Sequence, residues 1–199
     1  MKKIIVATLA AAFCIVTAEA DAQVYFNSPI DFAGTGCKLG SYIFSGEKTD
    51  TLTVMFSAYD AANPSSNAVS GLQNTSCNFV IPLYVPQGYQ VSTMTADWRG
   101  YAEGSTELFR EYFFAGAKGI DKISNPSGNY TERDDDLIYT TCSSYGEDVF
   151  LRINTSVRAI GSKSYIVVDT ADLQNNVVFH LNWKKCDPIP LPSIFMLLL

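Results

Sequence analysis

Alternation of apolar and polar residues runs through almost the whole chain beyond its first twenty positions, with no apolar stripe of helical spacing. It is clearest from Val149 to Ile160, where the odd-numbered positions are mainly apolar and the even-numbered ones include Arg152, Asn154 and Arg158. The segment from Val177 to Cys186 repeats the pattern. Strands with one apolar and one polar face are typical of antiparallel sheets packed on a core. We therefore predict an all-β fold.

Eight or nine short strands are predicted, separated by turn clusters rich in Gly, Pro, Asn and Ser. Two of them, Tyr89 to Tyr101 and Thr106 to Ala115, are expected to form a hairpin around Gly100 to Gly104. Pro82 is expected to place its strand, around Phe79, at an edge or a bulge. The pattern predicts a single antiparallel β-sandwich, with one core between two sheets in an immunoglobulin-like or jelly-roll order.

The first twenty residues have the layout of a secretory signal peptide. Lys2 and Lys3 precede an apolar run that ends at Thr17, and Ala18-Glu19-Ala20 follows as a small-residue cleavage site. The run is shorter than the roughly 20 apolar residues that cross a bilayer. We therefore expect a signal peptide at 1–20, a β-sandwich domain at 21–187 and a Pro-rich apolar C-terminal tail at 188–199. The expected location is extracellular, or periplasmic if the source is a Gram-negative bacterium.

The charge of the chain is acidic, with 20 Asp and Glu against 14 Lys and Arg and a formal net charge of −6. No basic cluster is present in the sequence, so binding to nucleic acid is not expected. The six apolar residues from Ile194 to Leu199 are too few to cross a membrane. We interpret the tail as a loose or docked segment, or as a contact site for a partner.

Four cysteines follow the predicted cleavage site, an even number for an oxidising compartment. Cys37, Cys77, Cys142 and Cys186 allow three connectivities. We favour Cys37–Cys77 and Cys142–Cys186, because each bridge then joins segments within one half of the chain. Each would close a loop of about 40 residues and stabilise the fold by about 4 kcal/mol. Their spacing contains no Cys-x-x-Cys, so a structural role is predicted rather than a redox role.

Several short motifs follow one another in a distinctive order: Phe32-Ala33-Gly34-Thr35-Gly36-Cys37, Leu52 to Tyr59, Val85-Pro86-Gln87-Gly88-Tyr89-Gln90, and Tyr112 to Gly116. Together they resemble a secreted family catalogued as domain of unknown function 4360, over nearly all of the chain after the predicted signal. The Pro-Gln-Gly-Tyr turn is the most specific part of the match. The resemblance implies secretion and supports the two cysteine pairs. It supplies no catalytic site.

Candidate catalytic and metal-binding groups are few. His180 is the only histidine and falls on the polar side of its strand, which leaves no multi-histidine metal site. Glu132 to Asp136 contains carboxylates that suit calcium, but it lacks the EF-hand spacing, and we interpret it as a solvated loop. No catalytic residue, metal site or cofactor is therefore assigned.

A candidate ligand surface combines aromatic and acidic residues. Glu107, Phe109 and Glu111 share one strand face, and Trp98 lies in the preceding strand. Such a surface can hold a sugar, with rings stacked on its C–H groups. Two alternatives stay open: these residues can form a solvated edge and core aromatics, or the carboxylates can serve a hydrolase.

Three sequons for N-glycosylation begin at Asn74, Asn129 and Asn154, and they matter only in a eukaryotic host. The favoured function is a non-enzymatic extracellular module that binds carbohydrate or a partner protein. The alternatives are a small secreted hydrolase that uses carboxylates and a structural component of an envelope or matrix.

Overall fold

The computed structural model describes residues 23–63, 72–114, 119–135, 137, 140–168 and 176–187. These residues contain eleven strands and no helix. The strands are β1 (Tyr25–Phe26), β2 (Asp31–Ala33), β3 (Tyr42–Ser45), β4 (Thr51–Phe56), β5 (Asp60–Asn63), β6 (Leu72–Val85), β7 (Tyr89–Phe114), β8 (Ile120–Ser124), β9 (Gly128–Asp134), β10 (Glu147–Val167) and β11 (Val177–Lys185). The predicted signal peptide and C-terminal tail lie outside the described residues.

All eleven strands belong to one antiparallel sheet, whose main path is β1-β6-β10-β7-β11-β4-β3. Off this path, β2 pairs with β6, β5 with β10, and both β8 and β9 with β7. The prediction of an all-β antiparallel fold is confirmed.

The sheet curls at a bend shared by its two longest strands, β7 and β10. The predicted hairpin around Gly100 to Gly104 is wrong, because β7 runs without a break for 26 residues. Its first half pairs with β9 and β11, and its second half pairs with β8 and β10. Gly104 has a φ of +76°, and the β7–β10 register shifts between Ile160 and Tyr165. The turn signals therefore mark a bend with a bulge, a device that changes strand direction without ending the pairing.

The curl folds the sheet into two arms that pack face to face. The first arm contains β1, β2, β6, β8, the first part of β10 and the second half of β7. The second arm contains β3, β4, β9, β11 and the first half of β7. Beyond the bend, the last part of β10 pairs with β5. Phe79 of the first arm contacts Trp98 and Phe179 of the second, with ring centroids 6.2 and 6.4 Å apart. The two layers that the sequence predicts are thus arms of one continuous sheet around one core.

Pro82 lies inside β6, which has neighbours on both sides. The prediction of an edge or a bulge is therefore wrong for this strand. The Pro82 carbonyl accepts a hydrogen bond from the Asn27 amide at 2.7 Å, on the side where β1 ends before β2 begins. The Pro82 nitrogen faces that same side, so the missing N–H removes no hydrogen bond between β6 and β10.

Both predicted disulfides are present. Cys37–Cys77, which we call the buried disulfide, fixes the loop before β3 to the middle of β6, and both of its residues are buried. Cys142–Cys186, which we call the exposed disulfide, fixes the segment before β10 to the end of β11. Cys142 is exposed to solvent and Cys186 is half-buried. The predicted pairing is confirmed.

Candidate functional site

The solvent side of the first arm carries three parallel rows of side chains, which we call the outer face. Residues directly opposite one another in antiparallel strands point to the same side of the sheet, so the strand register defines each row. From β6 through β10 and β7 to β8, the rows are Asn78–Asn154–Glu111–Asp121, Ser76–Ser156–Phe109–Ile123, and Asn74–Arg158–Glu107, the last of which ends at β7. Adjacent strands are about 4.8 Å apart, so the longer rows extend about 14 Å across the sheet.

Two of these rows contain a carboxylate paired with a side chain of β10. Arg158 donates a hydrogen bond from Nη1 to Glu107 Oε1 at 2.6 Å, in a pair that is partly exposed. Asn154 donates from Nδ2 to Glu111 Oε2 at 2.8 Å. Each carboxylate is therefore held toward β10, with its polar atoms close to solvent.

Phe109 lies in the row between these two polar pairs. Its ring is half-buried, and Ile123 beside it is 62% exposed. On the other side of Phe109, Ser156 Oγ and Arg158 Nε are buried and have no hydrogen-bond partner in the described part of the chain. A buried polar atom without a partner costs free energy. Neither atom is accessible to solvent, so a ligand could bond to them only after a neighbouring side chain moves.

Trp98 does not belong to this surface, which corrects the prediction for that residue. It is completely buried between the arms, and its Nε1 donates to Tyr112 Oη at 2.6 Å. The period-2 pattern alone does not say which side of a strand faces the core when polar and apolar residues are mixed, as they are around Trp98.

A buried polar network joins the two arms beside Trp98. Asp134 of β9 accepts hydrogen bonds from Arg110 Nε at 2.7 Å, from Arg110 Nη2 at 2.9 Å and from Tyr112 Oη at 2.7 Å. Burial alone would lower the pKa of Arg110, but the hydrogen bonds and charge of Asp134 outweigh it and raise that pKa. Every member has a buried partner, so we assign the network to stability rather than to ligand contact.

Three tyrosines of the core, Tyr59, Tyr112 and Tyr130, have a raised pKa, and in each the first cause is burial. Their hydroxyl groups are hydrogen-bonded to Thr155, Asp134 and the Val167 carbonyl, respectively. We call them the core tyrosines. They are protonated structural groups at neutral pH.

His180 and the acidic stretch from Glu132 are separated from the outer face. His180 is half-buried on the second arm, with Nδ1 3.1 Å from Thr51 Oγ1. Asp134 points inward to the network, whereas Asp135 is exposed and pairs with Arg133. Successive strand residues point to opposite sides, so Asp134 and Asp135 do not converge. In the described ranges, no group of three or more His, Cys, Asp or Glu side chains is placed to hold a metal ion.

Two of the three sequon asparagines lie on the outer face, which the sequence does not reveal. Asn74 is opposite Arg158, and Asn154 is opposite Glu111. Asn129 lies on β9 of the second arm and is exposed. Whether any of them carries a glycan stays a prediction.

Two cavities flank the loop between Lys38 and Ser41. One, of about 250 Å³, is lined by polar side chains that include Lys38 and Asp60. The other, of about 270 Å³, lies between β3 and β4 and is lined by Tyr42 and Ile43 among others. Neither cavity contains any residue of the outer face.

Sequence reasoning found Glu107, Phe109 and Glu111 of the outer face but missed Asn154, Ser156 and Arg158. The polar positions of β10 were predicted to lie on the solvent-exposed side of a strand. Only the register shows that they stand next to the acidic positions of β7.

Solved structures with a similar chain path include TmCBM61 in complex with β-1,4-galactotriose, with a TM-score of 0.35 and 8% identity over 79% of this chain and 89% of that one. A CBM4 structure has a TM-score of 0.24 and 8% identity, over 64% of this chain and 94% of that one. Both TM-scores are below 0.5, so neither likeness defines a ligand for this chain.

An uncharacterized secreted protein of Arthroderma benhamiae is 28% identical over 181 residues, which cover 79% of this chain and 70% of the relative. This agrees with the predicted secretion. In the ranges that the structure describes, no helix is long and apolar enough to span a membrane. The model of the family described as Domain of unknown function (DUF4360) matches residues 28–186, so the chain belongs to that family.

Proposed function

We propose that the protein is a secreted, non-enzymatic binding module that takes carbohydrate on its outer face. One observation carries the proposal: the half-buried ring of Phe109 lies between two polar pairs, Glu107–Arg158 and Glu111–Asn154, on one open sheet surface. Next to the same ring, Ser156 Oγ and Arg158 Nε are buried and have no partner among the described residues.

This combination suits a sugar because a pyranose has both apolar and polar edges. Its C–H groups pack on an aromatic ring, while its hydroxyls donate and accept hydrogen bonds at the rim. Carboxylate, amide and guanidinium groups provide strong, directional hydrogen bonds for such hydroxyls. The outer face presents these groups on strands, which hold them in fixed positions.

A carbohydrate fits this surface better than a protein partner does. The centre of a protein–protein interface is depleted in charged residues and enriched in large apolar and aromatic ones. The three rows instead contain one ring, Phe109, and one exposed apolar side chain, Ile123, among amides, hydroxyls and charges. The third candidate, a matrix component docked by the tail, depends on residues 188–199, which lie outside the described residues.

The geometry disfavours Glu107 and Glu111 as the carboxylate pair of a hydrolase. They are four residues apart on β7, which corresponds to about 13 Å along a strand. The paired carboxylates of glycosidases are about 5–9.5 Å apart. Each of the two is also bound to the β10 residue directly opposite, which keeps them apart.

The test is a binding panel of insoluble polysaccharides, both neutral and amino-containing, with protein made in a host that adds no N-glycans. We expect the wild type to bind at least one of them and Phe109→Ala to lose about tenfold in affinity, or about 1.4 kcal/mol. The matched control is Tyr145→Ala, because Tyr145 is a 90% exposed aromatic residue away from the outer face.

Three results would contradict the proposal. They are no binding across the panel, equal loss in both variants, and release of reducing ends by the wild type. Circular dichroism and a thermal melt establish that each variant is folded.

A further inference from the structure

We infer that the protein associates with a second copy of itself through the unpaired side of β3, in an antiparallel strand pair with Ile43 at its two-fold axis. β3 ends the main path of the sheet and pairs with β4 alone. We call its unpaired side the open edge. β3 belongs to the second arm, so pairing there leaves the outer face of each copy uncovered. Such a dimer therefore does not depend on the proposed carbohydrate binding.

The hydrogen bonds of β3 show which backbone groups face the open edge. The Ser57 amide donates to the Ser41 carbonyl at 2.9 Å, which starts the ladder between β3 and β4. Hydrogen-bonded and non-bonded residue pairs alternate along an antiparallel ladder. Ile43 therefore bonds to β4, whereas the N–H and C=O groups of Tyr42 and Phe44 point to the open edge. These four groups have no hydrogen-bond partner in the described part of the chain.

β3 also lacks the features that normally prevent an edge strand from pairing. Natural edge strands are protected by charged residues, proline or a bulge. β3 contains none of these from Tyr42 to Ser45, and its register with β4 is unbroken. The other described strands of three or more residues that pair with a single neighbour each contain a charged residue, namely Asp31 in β2, Asp60 in β5, Asp121 in β8 and Arg133 in β9. The open edge is therefore the least protected of these edges.

A second copy satisfies all four backbone groups of the open edge in one register only. Tyr42 must lie opposite Phe44 of the other copy, and Phe44 opposite Tyr42, which gives four hydrogen bonds related by a two-fold axis. Ile43 then lies directly opposite Ile43 of the other copy, where the Cβ atoms of opposed residues are about 4.5–5.5 Å apart. Because this arrangement is closed, association stops at a dimer.

The same pairing covers apolar side chains that are now in contact with water. Ile43 is 63% exposed, and the cavity of about 270 Å³ between β3 and β4 is lined by Ile43 and Met55 among others. Leu39, in the loop before β3, is 96% exposed. Clustered exposed apolar residues are typical of interaction sites. In the dimer the two Ile43 side chains shield each other from water.

Charge complementarity favours a second copy over an unrelated strand. The two-fold register brings the loop that carries Lys38 toward the turn that carries Glu47 of the other copy, and it does so at both ends of the pair. Both residues are exposed, and neither forms an ion pair in the described part of the chain. Exposed ion pairs add little affinity, but complementary charges select the partner and its register.

The dimer is expected to be weak because β3 has only four residues. An interface of this length lies below the roughly 1,200 Å² of total buried surface that stable complexes need. We therefore expect a dissociation constant of about 10–500 µM.

The experiment is sedimentation velocity on the secreted chain, made in a host that adds no N-glycans, at loading concentrations from about 5 µM to about 1 mM. The variant is Ile43→Lys, which puts two like charges directly opposite each other at the two-fold axis. The matched control is Ile123→Lys, because Ile123 is a strand isoleucine of 62% exposure, on β8. Thermal melts establish that both variants are folded.

We expect wild type and Ile123→Lys to dimerise alike and Ile43→Lys to associate at least about tenfold more weakly. Lys38→Glu and Glu47→Lys should each weaken the dimer by about twofold to threefold, and the two changes together should restore it. Ile43→Cys should form a disulfide between copies in air, because opposed Cβ atoms lie near the distance that a disulfide needs. Ile123→Cys should not.

Four results would overturn this inference. They are a wild type that stays monomeric over the whole concentration range, equal loss of association in the two lysine variants, equal cross-linking of the two cysteine variants, and no restoration in the double charge reversal. Association that appears only after deletion of residues 188–199 would assign the open edge to the chain's own tail and would also overturn it.

Discussion

The buried pair of Arg110 and Asp134 gives the sharpest prediction about stability. Their side chains are only 3% and 5% exposed, and Asp134 accepts three hydrogen bonds, two of them from Arg110. Arg110→Ala would leave a buried carboxylate with Tyr112 as its remaining donor. Removing one partner of such a pair costs about 3–5 kcal/mol. For a domain of this size, that corresponds to a fall in Tm of roughly 6–20 °C.

The assay is urea unfolding followed by tryptophan fluorescence, since Trp98 is buried and hydrogen-bonded to the same network. The control is Arg133→Ala, because Arg133 is 54% exposed and its partner Asp135 is 57% exposed, while its second partner, Asp97, is 13% exposed. This change should cost much less, because solvent screens the ion pairs of an exposed arginine. The double replacement of Arg110→Met with Asp134→Leu should recover most of the lost stability, because neither charge is then left buried alone. The reasoning is refuted if Arg110→Ala costs no more than Arg133→Ala.

Three further predictions concern pH, reduction and glycans. In the core tyrosines, the pKa of the folded state lies above the unfolded value of about 10. The stability that these tyrosines contribute is therefore complete below about pH 10 and is lost as the pH rises through the folded pKa. Denaturant titrations at pH 9 and pH 11 should therefore differ by about 4 kcal/mol, and equal values would show that these hydroxyls are not buried. Under mild reductant the exposed disulfide should open before the buried one, because the reductant reaches it more easily. Mass spectrometry of alkylated peptides follows the order of opening, and the reverse order would contradict the placement of the two bridges. In protein from a host that adds N-glycans, a glycan at Asn74 or Asn154 would cover the outer face, so its enzymatic removal should strengthen polysaccharide binding. Removal of a glycan at Asn129 should have no effect, because Asn129 lies on the second arm. An effect at Asn129 alone would place the ligand on the second arm.

The parts of the fold that sequence patterns predicted are those set by local chemistry. Strands β4 and β11 follow directly from the alternation of apolar and polar residues. The bend in β7 was missed because Gly104 is as suitable for a bulge as for a hairpin turn, and only pairing with β10 decides between them. The position predicted for Pro82, at an edge or a bulge, was wrong for the same reason. An inner strand accepts a proline where its nitrogen faces a gap in the pairing, and only the structure shows which side of β6 that nitrogen faces.

The candidate site was only half visible for a related reason. The acidic and aromatic positions of β7 could be read as one face because they are two residues apart. Their partners Asn154, Ser156 and Arg158 lie more than forty positions away and are brought beside them only by the register. Trp98 was misassigned because an aromatic residue in a strand is equally suited to a core and to a binding surface.

Carbohydrate binding on the outer face is tested by amide chemical-shift mapping in NMR, during titration with a soluble oligosaccharide of the polysaccharide that binds most tightly in the panel. We expect the largest shifts on β7 from Glu107 to Glu111, on β8 around Ile123 and on β10 from Asn154 to Arg158, with little change on the second arm. Shifts centred instead on the cavities around Ser41, or none at saturating ligand, would contradict it.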